Sequence, residues 1–389
     1  MTTLPETTLP RPTIAPGAPH DHRGSSVPTG AMIAQRFLEL RRRRGLMIVL
    51  AVVTIGLPSV FLVVRLLAHA FDPKSYGPPG GFAIFTGLVA GVLYIFGFIV
   101  AAALGCTAGS VDFQEGVFRH LVVTGRSRVA IYLARIPAGL GIIVPLVAIG
   151  YAVVCVVCSV AAPTVLNYNG ANVPVGLSRP ALVAWAGAHY AEVDCNFAPS
   201  ALGLAGPGAK KAAHVPIPCG PTGKIDLNAL PSGVPHPTVA QMRTAAMRAA
   251  SQDYSDYHRQ FLSPPVGLMV DAGLWIELEA AIGFVVGLGL GSLIGQRTIS
   301  VILMIVLEVI LTPLFLRAHI PHLINLQRSV VGVATDHLRP SAMPVAMGGG
   351  GPGQSPIISE TRLEAILVVI AWLVVWTALG AWRMATRDT

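Results

Sequence analysis

Carboxylate side chains interrupt the long apolar stretches of this sequence at four positions. Glu308 lies near the middle of one stretch, while Asp271, Glu277 and Glu279 lie in the first half of another. An ionisable side chain in hydrocarbon is costly, so each position is a candidate functional site. Glu308 is the strongest candidate, placed to meet a polar or cationic part of a substrate or to pair with a basic residue, and Glu277 is a second candidate for the same pathway. The alternative is a structural hydrogen bond between helices.

Two of the five cysteines, Cys195 and Cys219, lie outside the apolar stretches and bracket a segment rich in Pro and Gly. Closing a loop of this size stabilises a protein by about 3 kcal/mol. On an oxidising side of a membrane, the pair predicts a disulfide. Metal binding together with His189, His214 and His236 is the alternative, and the absence of C-x-x-C or H-x-x-x-H spacing disfavours it.

The string from Pro218 to Ile225, PCGPTGKI, is the nearest approach to a phosphate-binding loop. The motif requires Gly at the first position and Ser or Thr after the Lys, where this chain has Pro and Ile. The string therefore predicts an ordinary loop. The chain is expected to be no enzyme and to bind no cofactor of its own.

The composition indicates a membrane protein. Of 389 residues, 53% are hydrophobic and 12% are charged, and the mean hydropathy is +0.65. Soluble proteins carry about twice that share of charge. These values exclude a soluble enzyme, a disordered chain and a nucleic-acid-binding domain, so the bilayer is the expected partner. The net charge of +8 is better explained by basic residues collected on the cytoplasmic side.

Six apolar runs reach the roughly 20 residues that a helix needs to cross a bilayer. Because the runs are continuous rather than alternating, they predict helices and not barrel strands. The expected fold is an all-α polytopic membrane protein with six transmembrane helices and a sizeable outer insertion between spans three and four. The predicted spans are Leu46–Leu67, Gly81–Cys106, Pro137–Ala161, Val266–Ile294, Thr298–Leu316 and Leu363–Trp382.

The basic residues set the expected orientation. Arg41–Arg44, Arg297 and the C-terminal arginines all fall on one side if the N-terminus is cytoplasmic. The loop 317–362 weakens the asymmetry with four arginines, but long translocated segments count little in this rule. We expect a cell-membrane protein with both termini cytoplasmic. The expected segments are a disordered tail (1–28), an interfacial elbow helix (29–45), spans one to three (46–161), an extracytoplasmic domain (162–265), spans four and five (266–316), an extracytoplasmic loop (317–362), and span six with a cytoplasmic tail (363–389).

Several short helices are predicted outside the spans. Residues 31–44 place Ile33, Phe37 and Leu40 on one face, which is typical of an amphipathic helix in the membrane interface. It serves either as an elbow or only as a positive-inside anchor. In the insertion, one short helix is expected around 181–191, and Thr238 with Gln241 predicts a capping box opening a helix to about residue 261. Residues 318–327 are consistent with a re-entrant helix.

The loop between spans two and three predicts a short amphipathic helix over 113–123. Asp112 followed by Glu115 is a plausible capping-box variant. Phe113, Val117 and Leu121 line one face, and Gly125 is placed to stop the helix.

This loop, together with the six spans, resembles the first intracellular loop of type-2 permease subunits of ABC transporters. The resemblance rests on DFQEG at 112–116, on Arg119, and on TGRSR at 124–128 followed by Arg135. It implies a coupling helix that docks on a cytoplasmic ABC ATPase, with ATP and Mg bound in that partner. It also implies a homodimer or a related second permease. The residues implied for coupling are Asp112, Phe113, Glu115, Gly116, Arg119 and Arg126. The alternative is an ordinary interfacial helix.

The expected function follows from this resemblance. It is the permease subunit of an ABC exporter, which moves an amphiphilic substrate outward by alternating access. One alternative is a membrane receptor or scaffold whose functional part is the segment 162–265. Another is an ion-coupled secondary transporter using Glu308, although the inverted repeats that favour one are not seen.

Overall fold

Six helices form the bundle of this protein. The structure is a computed structural model that describes residues 27–72, 76, 78–114, 127–163, 165–168, 171–191, 238–260, 262–317, 320–344 and 358–386. Within these residues six helices are long and apolar enough to cross a membrane, which confirms the predicted number. Spans 1 to 6 are Arg44–Phe71, Phe82–Val111, Arg128–Val160, Val266–Ile294, Arg297–Leu316 and Arg362–Thr386.

The boundaries follow local chemistry. Span 4 begins after Pro265 and ends before Gly295, whose φ of 72° is the left-handed conformation that glycine adopts at helix ends. Its limits match the prediction at both ends. Span 3 differs most, because a short helix, Arg128–Leu133, precedes the long helix Arg135–Val160 with one turn residue between them. The predicted span started only at Pro137, which lies in the first turn of the long helix.

Three spans contain a stretch of π-helix: Val52–Gly56 in span 1, Val89–Leu93 in span 2 and Val306–Leu311 in span 5. The regular helices around them are Arg44–Ala51, Leu57–Phe71, Phe82–Leu88, Tyr94–Gln114, Arg297–Ile305 and Thr312–Arg317. Pro58 and Pro313 closely follow two of the stretches. A proline has no N–H and its ring clashes with the carbonyl four residues earlier, so a local widening of the helix accommodates it.

Spans 2 and 4 pack backbone against backbone. Gly287 and Gly291 of span 4 face Ala102 and Cys106 of span 2. A Cβ atom at Gly287 would lie 2.5 Å from the carbonyl oxygen of Ala102, and one at Gly291 would lie 2.6 Å from that of Cys106. Only glycine permits such an approach. The close approach of these glycines thus serves packing within the chain, and we call this contact the glycine seam.

One end of the bundle gathers the elbow helix, Gly30–Arg42, and the arginine-bearing ends of the spans. Met32 of the elbow helix is buried with Ala130 and Ile131 of span 3. Arg128 lies next to the last turn of span 6, with its Nη1 3.4 Å from the carbonyl oxygen of Ala385. We call this the elbow end. The helix in the predicted interfacial segment is therefore confirmed, and it packs on span 3.

The opposite end carries the remaining elements. Between spans 3 and 4 lie strands β1 (Val165–Tyr168) and β2 (Ala171–Pro174), an antiparallel pair, and then three helices. The hairpin corrects the expectation of a purely helical chain. The predicted capping box is present, since the N–H of Gln241 donates to the Oγ1 of Thr238 and the N–H of Thr238 to the Oε1 of Gln241. The helices are Arg179–Ala188, Val239–Gln252 and Tyr254–Gln260.

Spans 5 and 6 are joined by further short helices. A 3-10 turn, Pro321–Leu323, runs into the helix Ile324–Arg328, in the region where a re-entrant helix was considered. A third helix, Val331–Leu338, was not predicted. Its first six residues are all buried, and it packs on spans 4, 5 and 6. We call it the junction helix.

Candidate functional site

Glu308 lies in the π-helical stretch of span 5 and is almost completely buried, with 1% of its surface exposed. The hydroxyl of Tyr94, on span 2, donates a hydrogen bond of 2.9 Å to its Oε1. The hydroxyl of Thr312 lies 3.4 Å from its Oε2. The observed contact is thus the hydrogen bond between spans that the sequence analysis gave as the alternative to a substrate contact.

Glu279 of span 4 joins the same site. It is 2% exposed, and the groups that act on it are Glu308, Asp336, Thr335 and Tyr94. In the described part of the chain, its Oε1 has no hydrogen-bond partner. An unsatisfied carboxylate oxygen shielded from water carries a substantial free-energy cost. The structure therefore assembles two buried carboxyl groups that are 29 residues apart in sequence.

The junction helix contributes a third acidic group. Asp336 is 3% exposed, and its Oδ1 accepts a 3.0 Å bond from the Nε of Arg339. Arg339 also donates to the carbonyl oxygen of Met343. Burial raises the pKa of Asp336 above its usual range, while the guanidinium of Arg339 and the neighbouring His337 act in the opposite direction. The Arg339 side chain is therefore engaged with Asp336 rather than with either glutamate.

Trp275 ties the site together. Its ring stacks on Tyr94 with centroids 4.8 Å apart and an angle of 18° between the planes. Its Nε1 donates a 3.1 Å bond to the carbonyl oxygen of Thr335 in the junction helix. Trp275 thus connects spans 2 and 4 with the junction helix. We call the cluster of Tyr94, Trp275, Glu279, Glu308 and Asp336 the carboxyl junction.

A cavity of about 590 Å³ opens beside this junction. Apolar side chains of span 4, including Leu274 and Leu278, form one wall, and Trp275 forms part of the lining. Asp271, Arg339 and Arg362 supply charged groups. The cavity thus combines an apolar wall with several polar and charged groups.

Glu277, the other predicted pathway residue, does not share these contacts. Residues two apart on a helix point in nearly opposite directions, so Glu277 and Glu279 face different surroundings. Glu277 is half-buried, and within the residues described neither of its carboxylate oxygens has a partner. The structure therefore places Glu279 beside Glu308, and leaves Glu277 outside the junction.

A second polar contact holds the start of span 6 to the junction helix. The Nδ1 of His337 lies 2.9 Å from the carbonyl oxygen of Val333, and its Nε2 lies 2.8 Å from that of Ile358. The carboxylate of Glu360 is 3.6 Å from Nδ1. Burial raises the pKa of Glu360, although the nearby His337 opposes the shift. His337 therefore links the junction helix to Ile358, shortly before span 6.

Of the residues implied for coupling, only two lie within the described backbone. Asp112 and Phe113 belong to the last turn of the helix Tyr94–Gln114, so the helix of span 2 continues where the sequence analysis placed a new helix start. Glu115, Gly116, Arg119 and Arg126 lie outside the described residues.

Arg135, in span 3, contacts the end of span 2, and these two spans flank residues 115–126. It is 2% exposed, and its Nη1 donates bonds of 2.9 and 3.4 Å to the carbonyl oxygens of Ala108 and Gly109 near the end of span 2. The hydroxyl of Ser292, on span 4, lies 3.5 Å from the Gly109 oxygen. Spans 2, 3 and 4 are therefore connected at the elbow end by buried polar contacts.

The predicted disulfide residues, Cys195 and Cys219, lie outside the described residues, as do His214 and His236 of the alternative metal site. Among the residues that are described, no group of three or more His, Cys, Asp or Glu side chains is arranged to hold a metal ion.

Tyr94, Trp275 and Asp336 were missed by sequence reasoning. Tyr94 and Glu308 are 214 residues apart, and no local pattern pairs them. The apolar run VVGVA at 330–334, just before Asp336, was the one available signal for the junction helix. Comparison of the chain with models of protein families, with curated proteins and with solved structures finds no match.

Proposed function

We propose that this chain is the membrane-spanning permease subunit of an ATP-driven ABC exporter, and that a separate ATPase supplies the energy. The proposal rests on the contacts that join the spans on either side of residues 115–126. Arg135 joins the preceding span to the following one, and the glycine seam joins span 2 to span 4. A force applied to the segment 115–126 would therefore reach three spans through stiff, close-packed contacts.

The elbow helix supports the same proposal. A permease of this type begins with an interfacial helix, and here Gly30–Arg42 packs along span 3, with Phe37 3.8 Å from the position of a Cβ at Gly141. Two arginines occupy its last turn. In the proposed orientation the elbow end is cytoplasmic, both chain termini are cytoplasmic, and the membrane is the cell membrane.

The partners follow from the mechanism. The coupling segment, with Asp112, Glu115 and Gly116, would dock on a cytoplasmic ABC ATPase that binds ATP and Mg. Six spans make half of a translocation pathway in this class, so a second copy or a related permease would complete it. Exposed apolar side chains line spans 1, 5 and 6 and offer surface both for lipid and for that second permease.

The substrate class follows from the cavity beside the junction. Its apolar wall of Leu274 and Leu278 suits a hydrocarbon part, and its charged groups, Asp271, Arg339 and Arg362, suit a polar head. We propose an amphiphilic substrate that is released at the end of the bundle opposite the elbow end.

The test is co-purification with an ATPase that has a complete phosphate-binding loop, followed by substrate-stimulated ATP hydrolysis in lipid vesicles. Replacing Asp112 and Glu115 by Ala and Gly116 by Leu should abolish the stimulation while the complex still inserts in membranes. The control is Arg248→Ala, an exposed residue of the helix Val239–Gln252. Unchanged hydrolysis and transport in the triple variant would contradict the coupling role.

Ion-coupled transport is the second candidate function, because Glu279 and Glu308 form a buried acidic pair inside the bundle. The chain reconstituted alone, with a pH gradient and no ATPase, distinguishes the two. Solute movement under these conditions would favour the second candidate over the first.

A further inference from the structure

We infer that Glu279 and Glu308 form a binding site for a single proton, shared through the hydroxyl of Tyr94, at the point where spans 2, 4 and 5 meet the junction helix. The inference concerns a ligand that the proposed ATP-driven function does not require. It stands on the geometry of the carboxyl junction, and it holds whether or not an ATPase drives the chain.

The groups around Glu279 and Glu308 are acidic or neutral. Within the described residues, the groups that act on Glu279 are Glu308, Asp336, Thr335 and Tyr94, and those that act on Glu308 are Tyr94 and Thr312. None of them is basic. Arg339, on the far side of Asp336, is engaged with that carboxylate and with the carbonyl oxygen of Met343. Two neighbouring carboxylates buried without a counter-ion cannot both carry charge.

Glu308 and Glu279 differ in their hydrogen bonds. Glu308 accepts a hydrogen bond from Tyr94 at Oε1, while the hydroxyl of Thr312, 3.4 Å from Oε2, donates at 3.1 Å to the carbonyl oxygen of Leu307. Glu279 has an oxygen with no partner in the part of the chain that is described. A protonated Glu279 would be neutral, and its O–H could donate to the hydroxyl oxygen of Tyr94, which in turn donates to Glu308. The proton thus belongs mainly on Glu279.

The site does not suit a metal ion as the resident ligand. Divalent cations in proteins take about six oxygen ligands. The described residues present no group of three metal-ligating side chains, and the aromatic rings of Tyr94 and Trp275 occupy one side of the site. One proton needs only two facing oxygens, and it leaves and returns with no other reactant.

The surroundings of the two glutamates determine access to them and the effect of losing the proton. The cavity of about 590 Å³ is lined in part by Trp275, whose ring lies on Tyr94, so it reaches the aromatic stack that adjoins the pair. Loss of the proton would place two like charges close together between spans 4 and 5. Their repulsion would loosen the junction helix, which is held to Trp275 through Thr335.

The experiment is infrared spectroscopy of the full chain in lipid nanodiscs. At about pH 7 we expect a carbonyl-stretch band of a protonated carboxyl group that shifts when the glutamate carboxyls carry ¹³C, and that disappears on deprotonation at higher pH. The double variant Glu279→Gln, Glu308→Gln should lose this band. The control Glu364→Gln, at an exposed residue in the first turn of span 6, should keep it.

Two outcomes overturn the inference. One is an infrared band of protonated carboxyl groups that, at about pH 7, has the same intensity in the unmodified chain and in a folded double variant. The other is a band that responds to replacing K⁺ by Na⁺ at constant ionic strength, which would identify a metal ion instead of a proton. If the double variant does not fold, the ¹³C shift in the unmodified chain still decides, because its absence at about pH 7 shows that no glutamate holds a proton at that pH.

A second readout follows the consequence. The fluorescence of Trp275 should change over the pH range in which the infrared band disappears, and this part of the signal should be missing in Trp275→Phe. A Trp275 signal that stays constant across that range would contradict the link between the proton and the junction helix.

Discussion

Span 2 meets its neighbours in two ways that differ in chemistry. Along the glycine seam its backbone touches the backbone of span 4, with Gly287 against Ala102 and Gly291 against Cys106. At the carboxyl junction the same span offers Tyr94 to Glu308 of span 5. The seam contacts join backbone atoms, whereas the junction is built from acidic side chains and contains unsatisfied oxygens.

The difference separates a fixed contact from an adjustable one. Close-packed backbones have a single good arrangement, so the seam resists any change in the distance between spans 2 and 4. A polar cluster with incomplete hydrogen bonding has arrangements of similar free energy that a proton or a ligand can select. We therefore expect variants at the seam to affect folding, and variants at the junction to affect mainly local stability and its dependence on pH.

The largest expected effect comes from Gly287→Ala. The new methyl group would lie 2.5 Å from the carbonyl oxygen of Ala102, which must move apart. Overpacking of this kind costs about 1–3 kcal/mol, and thermal unfolding in detergent followed by circular dichroism should show it. The control is Gly97→Ala in span 2, where a Cβ would meet nothing within 4 Å and helix propensity favours alanine. Equal stability of both variants would refute the seam.

The next effect is expected from Tyr94→Phe, which deletes the hydrogen bond to Glu308 and keeps the ring on Trp275. Hydrogen bonds between membrane helices contribute about 0.5–1.5 kcal/mol. Stability measured by unfolding in mixed detergent should fall by this amount. Tyr132→Phe is the matched control, because the hydroxyl of Tyr132 is buried and has no partner among the described residues. A control that is equally destabilised would leave no special role for the Tyr94 bond.

A smaller effect is expected from Trp275→Phe, which removes the bond to the carbonyl oxygen of Thr335 and shrinks the stacked ring. Because this bond anchors the junction helix, amide hydrogen exchange at 331–338 should become several-fold faster, which corresponds to about 1 kcal/mol. Exchange along the glycine seam should not change. Trp382→Phe, an exposed tryptophan of span 6, serves as the control. Faster exchange in both regions would show that seam and junction are one unit.

The smallest effect concerns pH. The pKa values of Glu360 and Asp336 are raised by burial, so their contribution favours the folded contact in acid and is lost as the pH rises through their folded-state pKa values. Hydrogen exchange at 331–338, corrected for intrinsic rates, should therefore slow from about pH 8 to about pH 5.

The helix Val239–Gln252 provides the internal reference for this measurement, because it contains no Asp, Glu or His. The variant Glu360→Gln should reduce the pH dependence without removing it, as Asp336 remains. A junction helix whose exchange follows that of the reference at every pH would argue against a titratable contact.

Local pattern determined the elements of this protein. Apolar runs of sufficient length define six spans, and for Val266–Ile294 a proline before the run and a glycine after it define both ends. The pair Thr238 and Gln241 correctly predicts the start of a helix, because a capping box involves only residues three apart. The helix start predicted at Asp112 is not seen, because the helix of span 2 continues to Gln114, and no local signal in the sequence shows this.

Only the tertiary structure decided which side chains meet. The sequence singled out Glu308 because a carboxylate in an apolar run is costly, and this argument uses one residue and its neighbours. It could not assign Tyr94, Glu279 and Asp336 to the same place, because their contacts depend on how four helices cross. Likewise, the sequence alone does not give the partner of the small residues of span 4. Which helix they touch depends on the packing of the whole bundle, and that packing places Gly287 against Ala102.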